Sequence, residues 1–187
     1  KPKDAYRIPG AGGRESLTAG TNLPNGVIVH YFLPTYDEEK DNVSLSFHSK
    51  DGSLIKEFSN NSKENILKVK KGGNSFVWDM KYPGAKRIDN MVLWAADFTG
   101  AKAVPNNYEV RLKVNDSELS QNFMILKNPN SEGTIDDIKS QFNFVNEING
   151  IVDKAHKAII NIRKIKKDLK KFQTDFADNE VAKELIE

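Results

Sequence analysis

The chain has 187 residues, with 28 basic and 26 acidic side chains for a net charge of +2, and it contains no cysteine. A charge so nearly balanced supplies no global field for nucleic acid or a membrane surface. The lack of thiols removes disulfides, thiolate metal sites and thiol nucleophiles. Hydrophobic residues make up 38% and the mean hydropathy is −0.58, lean enough to predict that part of the chain is elongated and solvated.

Residues 1–25 are rich in Gly and Pro, have no apolar period, and are expected to form an irregular lead-in. The Gly-Ala-Gly-Gly run within them lacks the preceding strand, following helix and Gly-Lys-Ser/Thr of a phosphate loop. A start at Lys1, without Met or a signal peptide, fits a mature or trimmed piece of a longer chain.

From residue 26 the period becomes two. Val27, Val29, Tyr31 and Leu33 fall on one strand face, as do Val43, Leu45 and Phe47, and then Tyr108, Val110, Leu112 and Val114. Lys-Asp-Gly-Ser at 50–53 and Asn115–Asp116 supply hairpin turns. Further strands are expected in Leu54–Phe58, Ile66–Gly72, Ser75–Met80, Met91–Asp97 and Leu119–Leu126. Seven or eight short strands with turns at this spacing predict an antiparallel β-sandwich over residues 26–128.

Beyond Asn128 the period changes. Ile138, Phe142, Val145, Ile148, Val152, Ala155, Ile159, Ile162, Ile165, Leu169, Phe172 and Phe176 recur at an average of about 3.5 residues, the period of a helix with a continuous apolar seam. Thr134 followed by Asp137 makes a capping box. The spacing predicts a helix over 134–173, or a helical hairpin if the segment through residue 187 folds back on it. Such a helix is about 60 Å long. Its seam must lie on the sandwich, on the C-terminal segment or on another chain. Ile138, Phe142, Val145, Val152, Ile159, Ile162 and Leu169 are the expected interface residues, with a homodimer as one way to cover them.

Chemistry is sparse. In Phe76–Gly84 the alternation puts Phe76, Trp78 and Met80 on one face, as expected for a sandwich centre and not for a sugar platform. Trp94 and Tyr82 are the better-placed ligand candidates. The acidic run Asp37, Glu38, Glu39 and Asp41 is a polar loop without the cleft and desolvated acid that glycoside hydrolysis needs. His30, His48 and His156 show no metal-ligand spacing. The basic run Arg163–Phe172 reads as a solvated helix face. No catalytic residue, metal or cofactor is assigned, and neither nucleic acid nor a membrane span is expected.

Gly-x-Asn-x-x-x-Trp-Asp from Gly72, then Gly-x-x-x-Val-Pro-x-x-Tyr-x-x-x-Leu from Gly100, resembles the immunoglobulin-like domain of bacterial flagellar hook-capping proteins. Asn107 stands where that family has Gly. Taken in order, the segments at 22–33, 76–87, 91–112 and 142–169 resemble the C-terminal region of bacterial BNR-repeat, glycosyl hydrolase-like proteins with sortilin-type propellers. The resemblance covers nearly the whole chain and rests on ordered segments without a catalytic signature. It implies an immunoglobulin-like module and helical extension (134–187) behind a propeller, in an exported protein that is periplasmic or extracellular. The expected function is therefore a non-catalytic accessory module that packs against or positions an upstream propeller. A carbohydrate-binding module using Trp94 and Tyr82 is the alternative.

Overall fold

Alternation makes strands here because a pleated backbone sends successive side chains to opposite faces, so one face can be buried while the other stays wet. The computed structural model describes residues 1–8, 23–92 and 98–176. Among them are β1 (Ala5–Arg7), β2 (Val27–Leu33), β3 (Val43–Ser49), β4 (Leu54–Ser59), β5 (Gly72–Trp78), β6 (Asn106–Val114), β7 (Ser117–Lys127) and one helix, α1 (Ile135–Asp175). The chain is thus β-rich with a long C-terminal helix. The part of the chain that a hairpin would require, residues 177–187, lies outside the described residues.

Two compact units can be separated, Lys1–Pro83 with Thr99–Val145, and Gly84–Phe98 with Asn146–Glu187. The first holds both sheets, a five-stranded one ordered β1-β7-β6-β3-β4 and a two-stranded one pairing β2 with β5. Among the described strands every pairing is antiparallel except β1 with β7. The sheets share one core. Val27, Val29, Leu33 and Trp78 meet Val43, Leu45, Phe47, Tyr108, Val110, Phe123 and Ile125, all buried. Trp78 is its centre, stacked on Phe47 at 4.5 Å between ring centroids and meeting Tyr108 and Phe123 at 6.2 and 6.3 Å.

Both expected hairpins form. Ser49 N–H donates to Ser53 O across a turn in which Gly52 takes φ +84°, a left-handed conformation that glycine tolerates without steric cost. Asn115 holds φ +52° at the β6–β7 turn, where Val114 pairs with Ser117.

Three expectations change. Ala5–Arg7 is a strand parallel to Ile125–Lys127, not part of an irregular lead-in. Ahead of it, Lys3 N–H donates to Ile28 O and His30 N–H to Lys1 O, so the first residues cover the edge of β2. Residues 9–22, with the glycine run, lie outside the described set. Ile66–Lys71 forms no strand: Ile66 makes only an isolated bridge to Ser59, and at the far end Asn74 captures the backbone of Lys70. Asn74 Oδ1 accepts from Lys70 N–H at 3.0 Å, and Asn74 Nδ2 donates to Lys70 O at 2.7 Å. Finally, β5 ends at Trp78 rather than Met80. Asp79 Oδ1 accepts from Lys81 N–H, and Met80 turns to φ +62° while remaining fully buried.

The helix begins where its cap dictates. Thr134 Oγ1 accepts from Asp137 N–H at 3.1 Å, and Asp137 Oδ2 accepts from Thr134 N–H at 2.8 Å. The hydroxyl and backbone hydrogen bonds from Thr134 hold the Asp137 carboxyl below its ordinary range. A depressed folded-state value means that the carboxylate's contribution is present above the unfolded value near ~4 and is lost as pH falls through the lower folded one. Thr134→Ala is expected to cost about 1 kcal/mol. It should also flatten the acid-side loss of helicity followed by circular dichroism. An unchanged acid profile would mean that the cap is not coupled to helix stability.

Candidate functional site

The residues singled out for chemistry or recognition do not converge. Tyr82 is half-buried in the first unit, its ring edge-on to Phe142 at 4.9 Å, and burial raises its phenol above the ordinary value. It is a packing residue as much as a surface one. Trp94 lies outside the described residues. Trp78 has no exposed surface.

In the acidic loop between β2 and β3, Asp37 and Asp41 bond backbone groups of the loop, and Asp41 also reaches the β6–β7 turn. Asp41 Oδ2 accepts from Asp37 N–H at 2.8 Å, and Asp41 Oδ1 accepts from Asn115 Nδ2 at 2.9 Å. These bonds, that of Asn115 foremost, hold Asp41 below the usual carboxylate range. The histidines are apart as well. His30 is exposed on β2. The His48 ring bonds Ser46 Oγ at 2.9 Å and Gly52 O at 3.2 Å within its hairpin. Among the described residues no group of three or more His, Cys, Asp or Glu is placed to hold a metal ion. No described helix is long and apolar enough to cross a membrane.

A groove of about 880 Å³ opens beside β2 and β5. His30, Phe32, Lys68, Lys70 and Ser75 line it, and Phe32 is 69% exposed. Phe32 is not marked by any motif, and its place on the outward face of β2 follows only from the alternation that puts Val29 and Leu33 inside.

In the second unit, α1 from Asn146 onward carries a loop on one side. Asp153 Oδ1 accepts from Lys86 N–H at 3.0 Å, and Arg163 donates to Asp89 O at 3.2 Å. His156 is buried, with Nδ1 at 2.5 Å from Lys86 O and its ring against Phe98 at 5.1 Å. The ion pair with Lys157, at 2.6 Å, holds the Asp153 carboxyl below its usual range.

The expected seam therefore splits. Ile138 is buried, and Phe142, Val145 and Val152 are half-buried. Ile159, Ile162, Ile165, Leu169, Phe172 and Phe176 are 38–58% exposed. Six large apolar side chains at spacings of three and four residues thus stand in solvent along about 25 Å of helix. Isolated exposed apolar residues need no explanation, but a continuous row of them marks an interaction surface.

Comparison with family models, with curated proteins and with solved structures finds no match in any of the three.

Proposed function

We propose that the chain is a non-catalytic interaction module, in which packed sheets carry a helix whose apolar row binds a protein partner. The observation that carries this reading is the exposed row from Ile159 to Phe176. The wider proposal is an accessory module of an exported bacterial BNR-repeat, glycosyl hydrolase-like protein, periplasmic or extracellular, that packs against or positions a propeller. It rests on the resemblance of the ordered segments. An immunoglobulin-like sandwich belongs to that proposal. In its support, Tyr108 donates its hydroxyl to Val104 O at 2.7 Å, the back-bond of a tyrosine corner. A carbohydrate-binding module is the second reading, favoured by exposed Phe32 beside Lys68 and Lys70 in the groove on β2 and β5.

Light scattering and affinity electrophoresis separate the two. Association at micromolar concentration, with another copy or with an apolar-seamed helical peptide, should be lost in Ile162→Asp/Leu169→Asp. That double variant should unfold at the wild-type midpoint, since both side chains are already more than half exposed. Retardation by one polysaccharide, abolished by Phe32→Ala and untouched by the helix variant, would hand the function to the groove.

A further inference from the structure

We infer that the exposed row on α1 takes an acidic amphipathic helix of a protein partner, a proposal that rests on the interaction-module reading and names its partner's chemistry. At 3.6 residues per turn, Phe172, Ile165, Phe176, Leu169 and Ile162 fall within an arc of about 80°, and Ile159 at the N-terminal end of the row widens it to about 140°. From Ile162 to Phe176 that is the width of a helix–helix seam.

The flanks are unequal. Lys166, Lys170 and Arg163 follow one edge of the arc, with Lys167, Lys171 and Lys164 beyond them, while Asp168 and Asp175 border the other. From Arg163 to Lys171 six basic side chains stand against Asp168 alone. The five lysines among them are exposed, and none is paired with a carboxylate among the described residues.

These features select among occupants. Two copies packed along the row would bring two such basic stretches to within about 8–10 Å of each other. An antiparallel pair centred on this row sets the Lys166, Lys170 and Arg163 flanks face to face, whereas a parallel pair sets that flank beside Asp168 and Asp175, two carboxylates for six basic side chains. At that distance like charges are incompletely screened, so an antiparallel copy is disfavoured, and a parallel copy leaves most of the basic side chains without a carboxylate. A nucleic acid would use the lysines through its phosphates and leave the apolar row in water. An anionic membrane would use both features, but it would press the carboxylates of Asp168 and Asp175, at the border of the row, against its anionic headgroups. A helix with its own apolar seam and carboxylates alongside uses the row and the basic flank together.

The test uses the 187-residue chain and two synthetic helical peptides that share a Leu/Ile seam, one flanked by Glu and one by Lys. The Glu-flanked peptide should bind at least about tenfold more tightly, with affinity falling as salt rises. Lys166→Glu/Lys170→Glu should erase that preference while leaving the helical circular dichroism unchanged. Ile162→Asp/Leu169→Asp should remove binding of both peptides. Equal binding of the two peptides, or tighter binding of the Lys-flanked one, overturns the acidic partner but leaves an interaction module standing. A wild-type dimer by light scattering that dissociates in the Asp double variant does the same. Failure to bind either peptide, in a chain that stays monomeric, overturns both.

Discussion

Trp78→Ala is expected to lower the free energy of unfolding by about 3–5 kcal/mol, the range for truncating a large aromatic in a core that cannot collapse around the loss. The indole has no exposed surface and lies between the two sheets, on Phe47 from β3 and edge-on to Tyr108 and Phe123 from β6 and β7. No single strand can move to fill the hole without breaking its ladder. The substitution also removes the indole N–H that donates to Lys81 O at 3.3 Å, just where the chain leaves β5. Urea unfolding should show a large fall in midpoint with the slope preserved. Phe32→Ala, on the outward face of the same two-stranded sheet, should stay within about 0.5 kcal/mol of the wild type. A loss below ~1 kcal/mol for Trp78→Ala would mean that the two sheets do not share one core.

The strands that pack on the same residue were legible in the chain. Phe47 and Val110 sit in runs that alternate apolar and polar, so period two alone assigns them inward, whereas Val29 and Trp78 lie in consecutive apolar stretches, Val27–Val29 and Phe76–Trp78, that period two does not orient. Asp-Gly at 51–52 and Asn-Asp at 115–116 fix two hairpins, because those residues accept conformations that most side chains resist. What escaped was decided at a distance or by one side chain. Ala5–Arg7 is three residues long, and its partner, Ile125–Lys127, lies 120 residues away, so no local pattern announces it. Ile66–Lys71 alternates like a strand, yet the Asn74 amide takes the Lys70 peptide groups that a ladder would have used. The helical seam is a third case. Spacing gives the stripe from Ile138 to Phe176, but spacing cannot say what covers it. Ile138 and Phe142 are packed, and Ile159 onward is not. The candidate surface is that remainder, so it needed the fold to be seen.

Gly100→Ala should be as damaging as the tryptophan truncation, through overlap and not through a cavity. Gly100 is buried, and a Cβ there would overlap the Tyr82 carbonyl oxygen while coming within 2.5 Å of Tyr82 C and 2.6 Å of Pro83 O. All three atoms are backbone, so no rotamer change relieves them. The segments that would have to part are stitched together on both sides of the clash. Tyr82 N–H donates to Ala101 O at 2.9 Å, Ala103 N–H donates to Met80 O at 2.7 Å, and Lys81 bridges Lys102. Met80 and Ala103 are fully buried, so carbonyls pulled from these bonds would not find water without opening the core. Overpacking of 1–3 kcal/mol together with two strained hydrogen bonds of about 1 kcal/mol each gives an expected loss of roughly 3–5 kcal/mol. For a chain of this length that is a fall in Tm of about 6–20 °C. Gly150→Ala provides the opposite sign within the same chain. A Cβ at Gly150 meets nothing within 4 Å, and the residue lies inside α1, where alanine is favoured by about 1 kcal/mol. Calorimetry of the two variants should therefore bracket the wild type. If Gly100→Ala unfolds within about 2 °C of it, the 80–83 and 100–103 segments do not pack backbone to backbone.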